Sequence, residues 1–399
     1  MNTPLMHSGT AGDGKAAVRG SRVLVVDDIE ANRDLLVRRL ARLGITDVVQ
    51  ANDGRAALDV IRARAFDLVL LDIMMPIMTG FDVLEALAAE GRIEQLPVIV
   101  ISAMGEMEAI VRAISLGAED FLLKPFDPIL LRARILPTLE KKQLRDRMRE
   151  ELARKQAELA EARSLQLALS PPPYCDDRLG IDVVLEPARE VGGDLIDHIQ
   201  LNNQTHVLVV GDVSDKGAAA ALVMARTHAL VRGLASRPDA SALFGDLGQV
   251  AAALNRELLA GNQNCMFVTM FIAVHHPAHG RLDYIRCGHV PPFLQRADGR
   301  MERLAVPGGA PLGVDDAAHY VAAAIDIAPG DRLLVLSDGV TEAIAPDGEL
   351  FGDERVATWL ATAPAKLESL VQAVRAHEAG AEASDDLAAL LLDTQIPNA

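Results

Sequence analysis

Between Val23 and about Thr138 the chain alternates short, continuously apolar runs with longer amphipathic ones. The apolar runs are Val23 to Val26, Asp67 to Leu71, Pro97 to Ile101 and Phe121 to Leu123, with a weaker one at Asp47 to Gln50. Helical spacing of apolar positions fills the intervals at 30–43, 54–64, 80–90, 105–116 and 127–140. Strands that are apolar at every position are buried on both faces, as in a parallel sheet covered by helices on either side. Five such units predict a doubly wound α/β domain over residues 21–138, with strand order 2-1-3-4-5.

From about 139 the texture changes. Residues 139–170 contain no Gly and many charges of both signs, while Leu144, Met148, Leu152, Leu159, Ala162, Leu165 and Leu169 recur mostly at steps of three and four. This predicts a long amphipathic helix over a linker at 139–173, able to form a short coiled coil and a homodimer seam. Pro171, Pro172 and Pro173 stop it. Beyond it, at 174–395, strand-like runs cluster: Ile181 to Leu185, Thr205 to Val210, Val268 to Val274, Arg281 to Arg286, Asp331 to Leu336 and Leu387 to Leu392. Helical stretches lie at 217–234, 242–260 and 366–379. Clustered strands with inserted helices predict α+β layers around a sandwich.

Composition narrows the class. A net charge of −17 argues against nucleic acid as a partner, which needs clustered Lys and Arg. Cys175, Cys265 and Cys287 have no paired spacing, so they read as reduced thiols in a cytoplasmic protein. Residues 1–20 are polar and Gly-rich and read as a loose, disordered tail. No apolar run approaches the roughly 18–20 residues of a membrane helix.

The first candidate chemistry sits at strand ends. Asp27 and Asp28 follow the first strand and Asp72 follows the third. In the predicted order these strands are neighbours, and their carboxyl ends meet at the topological switch point where ligands bind. Three gathered carboxylates call for a hard cation such as Mg²⁺. Ser102 and Lys124 end the fourth and fifth strands, and Pro125 follows Lys124 in a place suited to a cis bond. Asp72 can then act as a carboxylate nucleophile toward a phosphoryl donor, with Lys124 adding positive charge and Ser102 a hydrogen bond.

These residues, in the motifs VVDD, LLDIMMP, ISA and LLKPF, resemble the receiver domain of two-component response regulators, the CheY-like fold. The resemblance implies that Asp72 accepts a phosphoryl group from a sensor histidine kinase or a phosphotransfer protein. It further implies that Asp27, Asp28 and the carbonyl of Met74 join Asp72 around Mg²⁺, and that Ser102, Phe121 and Lys124 form the switch.

A second acidic set punctuates the later region. Asp194 and Asp197 lie in VGGDLID, Asp212 in VGDVSDKG, Asp338 in LSDG, and Asp385 and Asp386 in SDD. Adjacent glycines let the backbone bend tightly, and only folding can assemble acids so far apart. Four or more carboxylates in one pocket imply at least two divalent cations, the arrangement that clamps phosphoryl hydrolysis. His275, His276 and His279 flank Pro277 and read as turn residues, and His289 as shaping a loop near the acids.

Together with SLQLALSPPP, CGHVPP and PLG, these motifs resemble the metal-dependent phosphatases of the protein phosphatase 2C superfamily, in its SpoIIE/RsbU-type branch. That resemblance implies a β-sandwich flanked by helices, holding two Mn²⁺ or Mg²⁺ ions. Asp194 and Asp212 would bridge the ions, the carbonyl of Val213 would add a ligand, and Asp338 and Asp385 would complete the set, with Asp386 sharing the role and Asp197 a further acid. It implies a phosphoserine or phosphothreonine protein as substrate, of the anti-sigma-factor antagonist kind. Asp215 stands where this branch often has Gly, and Ala388 where it often has Thr. The joint expectation is a receiver whose output is a phosphatase. The competing one is a catalytically silent adaptor that binds a partner protein.

Overall fold

The computed structural model describes residues 20–394, apart from 104–106, 203–204, 263, 305–307, 363–365 and 382. The predicted tail thus lies outside the described residues up to position 19. The chain divides into two compact units between Lys155 and Gln156.

In the first unit, strands β1 (Arg22–Val26), β2 (Asp47–Ala51), β3 (Leu68–Asp72), β4 (Val98–Ala103) and β5 (Asp120–Lys124) form a parallel sheet in the order β2-β1-β3-β4-β5. Helices α1 (Glu30–Arg42), α2 (Gly54–Ala63), α3 (Gly80–Ala89) and α4 (Met107–Ser115) alternate with them. Side-chain alternation splits the core in two. Leu24, Val26, Val69, Leu71, Val98 and Val100 pack on one face, and Val23, Val25, Leu68, Leu70, Ile99 and Ile101 on the other. Every residue of β3 is buried, which is why its sequence shows no alternation.

Helix α5 runs unbroken from Pro128 to Leu167 through Pro137. The sequence reading had two segments here, 127–140 and 139–170, divided where the composition changes, whereas the helix is continuous although Pro inside a helix removes a backbone donor. Leu131, Ile135 and Leu139 are buried in the same cluster on both sides of Pro137, so packing carries the helix through. Further on, Leu144, Met148 and Leu152 are exposed.

The second unit is a four-layer α+β sandwich. It contains β6 (Tyr174–Cys175), β7 (Gly180–Glu186), β8 (Leu195–Asn202), β9 (Thr205–Val213), α6 (Ala218–Ala235), α7 (Ala240–Leu243), α8 (Leu247–Leu259), β10 (Val268–His276), β11 (Arg281–Cys287), β12 (Phe293–Gln295), β13 (Met301–Arg303), β14 (Ala323–Asp326), β15 (Arg332–Leu336), α9 (Asp338–Thr341), α10 (Gly352–Leu360), α11 (Leu367–Glu378) and β16 (Leu387–Asp393). One antiparallel sheet has the order β14-β11-β10-β9-β8, the other β13-β12-β15-β16-β7-β6. Ile196, Leu208, Phe271 and Leu282 of the first meet Leu294, Val335 and Leu390 of the second to fill the space between them. α6 and α8 cover the outer face of the first sheet, and α10 and α11 that of the second.

His275 is not a turn residue. It lies within β10, one residue before its end, with its side chain buried and in register with His206 of β9. His206 Nδ1 in turn lies 3.0 Å from His198 Nε2 of β8. Burial pushes His275 from 6.5 down to about 4, with His206 and His276 adding repulsion and Asp176 opposing it. The folded state therefore holds a neutral imidazole that the unfolded chain protonates near pH 6.5. The stability is complete above that pH and is lost on acidification toward 4, at about 1.4 kcal/mol per pH unit. His275→Gln should flatten the fall of the melting temperature over this window. An unchanged slope would remove His275 as its source.

Candidate functional site

Two carboxylate clusters form, one in each unit. In the first, the register Val26↔Leu71 sets Asp27, just past β1, beside Asp72 at the end of β3. Asp27, Asp28 and Asp72 offer oxygens within 4.8 Å of one another, the first and last buried and Asp28 exposed. Among the described residues no other set of three acids, histidines or cysteines converges so tightly. Lys124 Nζ lies 2.8 Å from Asp72 Oδ2 and 3.0 Å from Asp27 Oδ2. Asn32 Nδ2 donates to both Asp27 oxygens at 3.1 Å, and the Arg33 guanidinium donates to the Asp27 carbonyl at 2.7 Å. Burial raises the Asp72 pKa, against the pull of Lys124. The Lys124–Pro125 peptide is cis.

Ser102 is buried on β4, its neighbour Ala103 in register with Lys124. Phe121 is half-buried against the core, with the Arg134 guanidinium 5.6 Å above its ring. Met74 is exposed two residues beyond Asp72. The structure therefore brings the three acids and Lys124 together, with Ser102 one strand away. Asn32 and Arg33 went unnoticed in the sequence because they act from the first turn of α1 and carry no motif.

In the second unit the acids collect where β8 and β16 begin and β9 and β15 end. The antiparallel register Leu195↔Gly211 sets Asp194 against Asp212, and Leu336↔Ala389 brings Asp338 toward Asp385 and Asp386. Burial, then Asp338 and Asp385, pushes Asp212 up to about 7. Asp194 is raised well above the carboxylate range by burial and by Asp212, against a hydrogen bond from Ser337. Asp338 is raised by burial, Asp385 and Glu342. Like charges held this close, with Asp194 Oδ2 fully buried and without a hydrogen-bond partner, form a donor set that fits hard divalent cations. This set is wider than the one in the first unit, so water would complete each ion's shell.

Three residues take parts the sequence reading did not give them. Lys216 Nζ sits 2.8 Å from Asp385 Oδ2, offsetting the charge of that acid. Asp386, read as a shared ligand, spends both oxygens on backbone amides, at 2.8 Å from Ala188 N–H and 2.6 Å from Gly193 N–H. It thus braces the loop that carries Asp194. The packing leaves no slack, since a Cβ on Gly339 would fall 1.9 Å from the Asp386 carbonyl oxygen.

Asp197 leaves the cluster altogether. Period-two alternation puts Leu195, Asp197 and Ile199 on the helix-covered face of β8, opposite to Asp194. There Asp197 meets Arg232 of α6 with two hydrogen bonds, Nε to Oδ2 at 2.7 Å and Nη2 to Oδ1 at 2.5 Å. Asp197→Ala should destabilise the fold by about 2 kcal/mol, the scale of losing hydrogen bonds to a charged group, while leaving cation binding intact. A thermal melt and a Mn²⁺ titration check both halves of that expectation.

Comparison with known proteins agrees with this division. Residues 23–136 match the response regulator receiver domain, and residues 202–395 match the stage II sporulation protein E (SpoIIE) family. The chemotaxis protein CheY of Pseudomonas aeruginosa is 33% identical over 120 residues, 30% of this chain and 97% of that protein. Protein IcfG of Synechocystis is 30% identical over 236 residues, 53% of this chain and 37% of IcfG, so this chain spans little more than a third of that relative. The solved SiaA-PP2C domain of Pseudomonas aeruginosa superposes with a TM-score of 0.52 at 14% identity, over 61% of this chain and 98% of that domain, a likeness of fold. The chain belongs to the response regulators, its receiver domain followed by a region, residues 202–395, that matches the SpoIIE family.

Proposed function

We propose that this response regulator delivers its output by dephosphorylating serine or threonine on a partner protein, under the control of phosphorylation at Asp72. One observation supports the phosphatase half above others. Asp194 is buried with an unpartnered oxygen among Asp212, Asp338 and Asp386, a state that a bound cation would relieve.

In the receiver, Asp27, Asp28 and Asp72 with the Met74 carbonyl would hold Mg²⁺. Asp72 attacks phosphorus from a histidine kinase or phosphotransfer donor, the donor's P–N bond breaks, and the histidine leaves with the electron pair. Lys124, already bonded to Asp72, turns to the transferred phosphoryl oxygens, and Ser102 donates a further hydrogen bond.

In the second unit Asp194, Asp212, Asp338 and Asp385 with the Val213 carbonyl would hold two Mn²⁺ or Mg²⁺ ions. Such ions lower the pKa of a water and offset charge growing on phosphorus. The chain's own acids fix their spacing, Ser337 orients Asp194, and Lys216 balances Asp385. The substrate class, an anti-sigma-factor antagonist, follows from the family alone. The exposed stripe of Leu144, Met148 and Leu152 on α5 supports pairing with a second copy of the chain. No described helix is long and apolar enough to cross a membrane, and we place the protein in the cytoplasm with its phosphodonor.

The wider spacing of the second acid set favours the adaptor as the other reading, and one assay separates the two. Purified protein with Mn²⁺ should release nitrophenol from para-nitrophenyl phosphate and phosphate from a phosphorylated antagonist. Chelation should stop both reactions, and restored Mn²⁺ should revive them. A chain inert at saturating Mn²⁺ is the adaptor.

A further inference from the structure

The SLQLALSPPP motif contributes no acid, yet it reaches the acid cluster. Gln166, in the last turn of α5, is only 6% exposed and grips Gly192 at two points. Its Nε2 donates to the Gly192 carbonyl at 2.7 Å, and its Oε1 accepts the Gly192 N–H at 3.0 Å. One carboxamide thereby satisfies both polar groups of a buried peptide, as a neighbouring strand would. The next residue, Gly193, donates to Asp386 Oδ2 at 2.6 Å, and Asp194 follows directly. Position 192 admits no side chain, because a Cβ there would lie 2.3 Å from Asp386 Oδ2. One turn back on the helix, Arg163 Nη1 donates to the Arg189 carbonyl at 3.0 Å. The end of α5 therefore holds both ends of the segment 189–192.

We infer that Gln166 is a positioning residue for the reaction. It holds Gly192 so that Asp194, two residues on and braced by Asp386 through Gly193, keeps its place in the acid set that cations require, and it makes the end of α5 part of that setting. This rests on the metal-dependent reading above. The end of α5 is thus tied, through Gln166 and Arg163, to the loop before the first acid. Gln suits the place by length and by carrying a donor and an acceptor on one planar group. Glu at the same position could accept from Gly192 N–H but could not donate to its carbonyl.

The test uses the full chain in an Asp28→Asn background, so that the receiver's ion is not counted. Mn²⁺ binding and amide exchange at Gly192 and Gly193 are compared among the parent, Gln166→Ala and Gln166→Glu, with melting curves to confirm folding. Removing an outer partner of metal-holding groups typically costs 10–100-fold in affinity. Half-saturating Mn²⁺ should therefore rise about tenfold or more in both variants, and both amides should exchange faster. A purely structural role would lower the melting temperature and leave the Mn²⁺ midpoint in place, and a midpoint within twofold of the parent overturns the inference. A parent that binds no Mn²⁺ in this background overturns the phosphatase reading itself, and the two failures are told apart by the parent alone.

Discussion

Asp212→Asn is expected to lower hydrolysis of a phosphoprotein by about a thousandfold or more at saturating Mn²⁺, the scale of losing several kcal/mol of charge stabilisation at phosphorus. Asp212 stands at the centre of the set. It faces Asp194 across the β8–β9 ladder and feels Asp338 and Asp385 from the opposite sheet. Asn keeps the shape and removes the charge, so the loss belongs to cation binding rather than packing. The stability should move the other way. Burial and neighbouring carboxylates push Asp212 up to about 7, so at pH 8 without ions the folded chain carries a charge that burial opposes. Removing it should raise the melting temperature in chelator above that of the parent. Activity within tenfold of the parent, or a lower melting temperature in chelator, would remove Asp212 from the centre.

The receiver was legible in the sequence nearly residue by residue, because its chemistry lies at the ends of continuously apolar strands. Once β1 and β3 are neighbours, Asp27 and Asp72 must meet, and the observed strand order makes them neighbours. The sandwich was legible in class, but β8 went unread. Its residues Leu195 to Asn202 include buried Asp197 and half-buried His198, polar groups accommodated because Arg232 and His206 arrive from elsewhere to pair with them. Hydrophobic pattern cannot show a strand whose inward positions depend on distant partners. The same gap misplaced Asp197. Three residues from Asp194 reads as proximity along the chain, whereas a strand sends such a pair to opposite faces.

The supporting residues were hidden for a related reason. Gln166, Lys216 and Ser337 lie inside motifs quoted for their acids or for their likeness to a family. Their roles come from Gly192, Asp385 and Asp194, partners brought close only by folding. Asp386 is the converse, an acid placed correctly by its motif whose two oxygens the fold spends on amides of Ala188 and Gly193.

Asp72→Asn should abolish uptake of a phosphoryl group from acetyl phosphate, since the attacking oxygen is gone and no other carboxylate sits at the end of β3 to replace it. The substitution is mild in structural terms. Burial already raises the Asp72 pKa, so a neutral amide of the same shape fits, and Lys124 keeps its bond to Asp27. Lys124→Ala is the informative contrast. It leaves Asp27 and Asp72 facing each other without their shared cation, so uptake should slow while the nucleophile survives. In the same preparations, hydrolysis by the second domain should stop responding to acetyl phosphate in Asp72→Asn while its unstimulated rate persists. The receiver holds no groups of the second acid cluster, so a change in that rate reports coupling between the two units. An Asp72→Asn protein whose hydrolysis still responds to acetyl phosphate as the parent does would show that the receiver's acids do not govern the output.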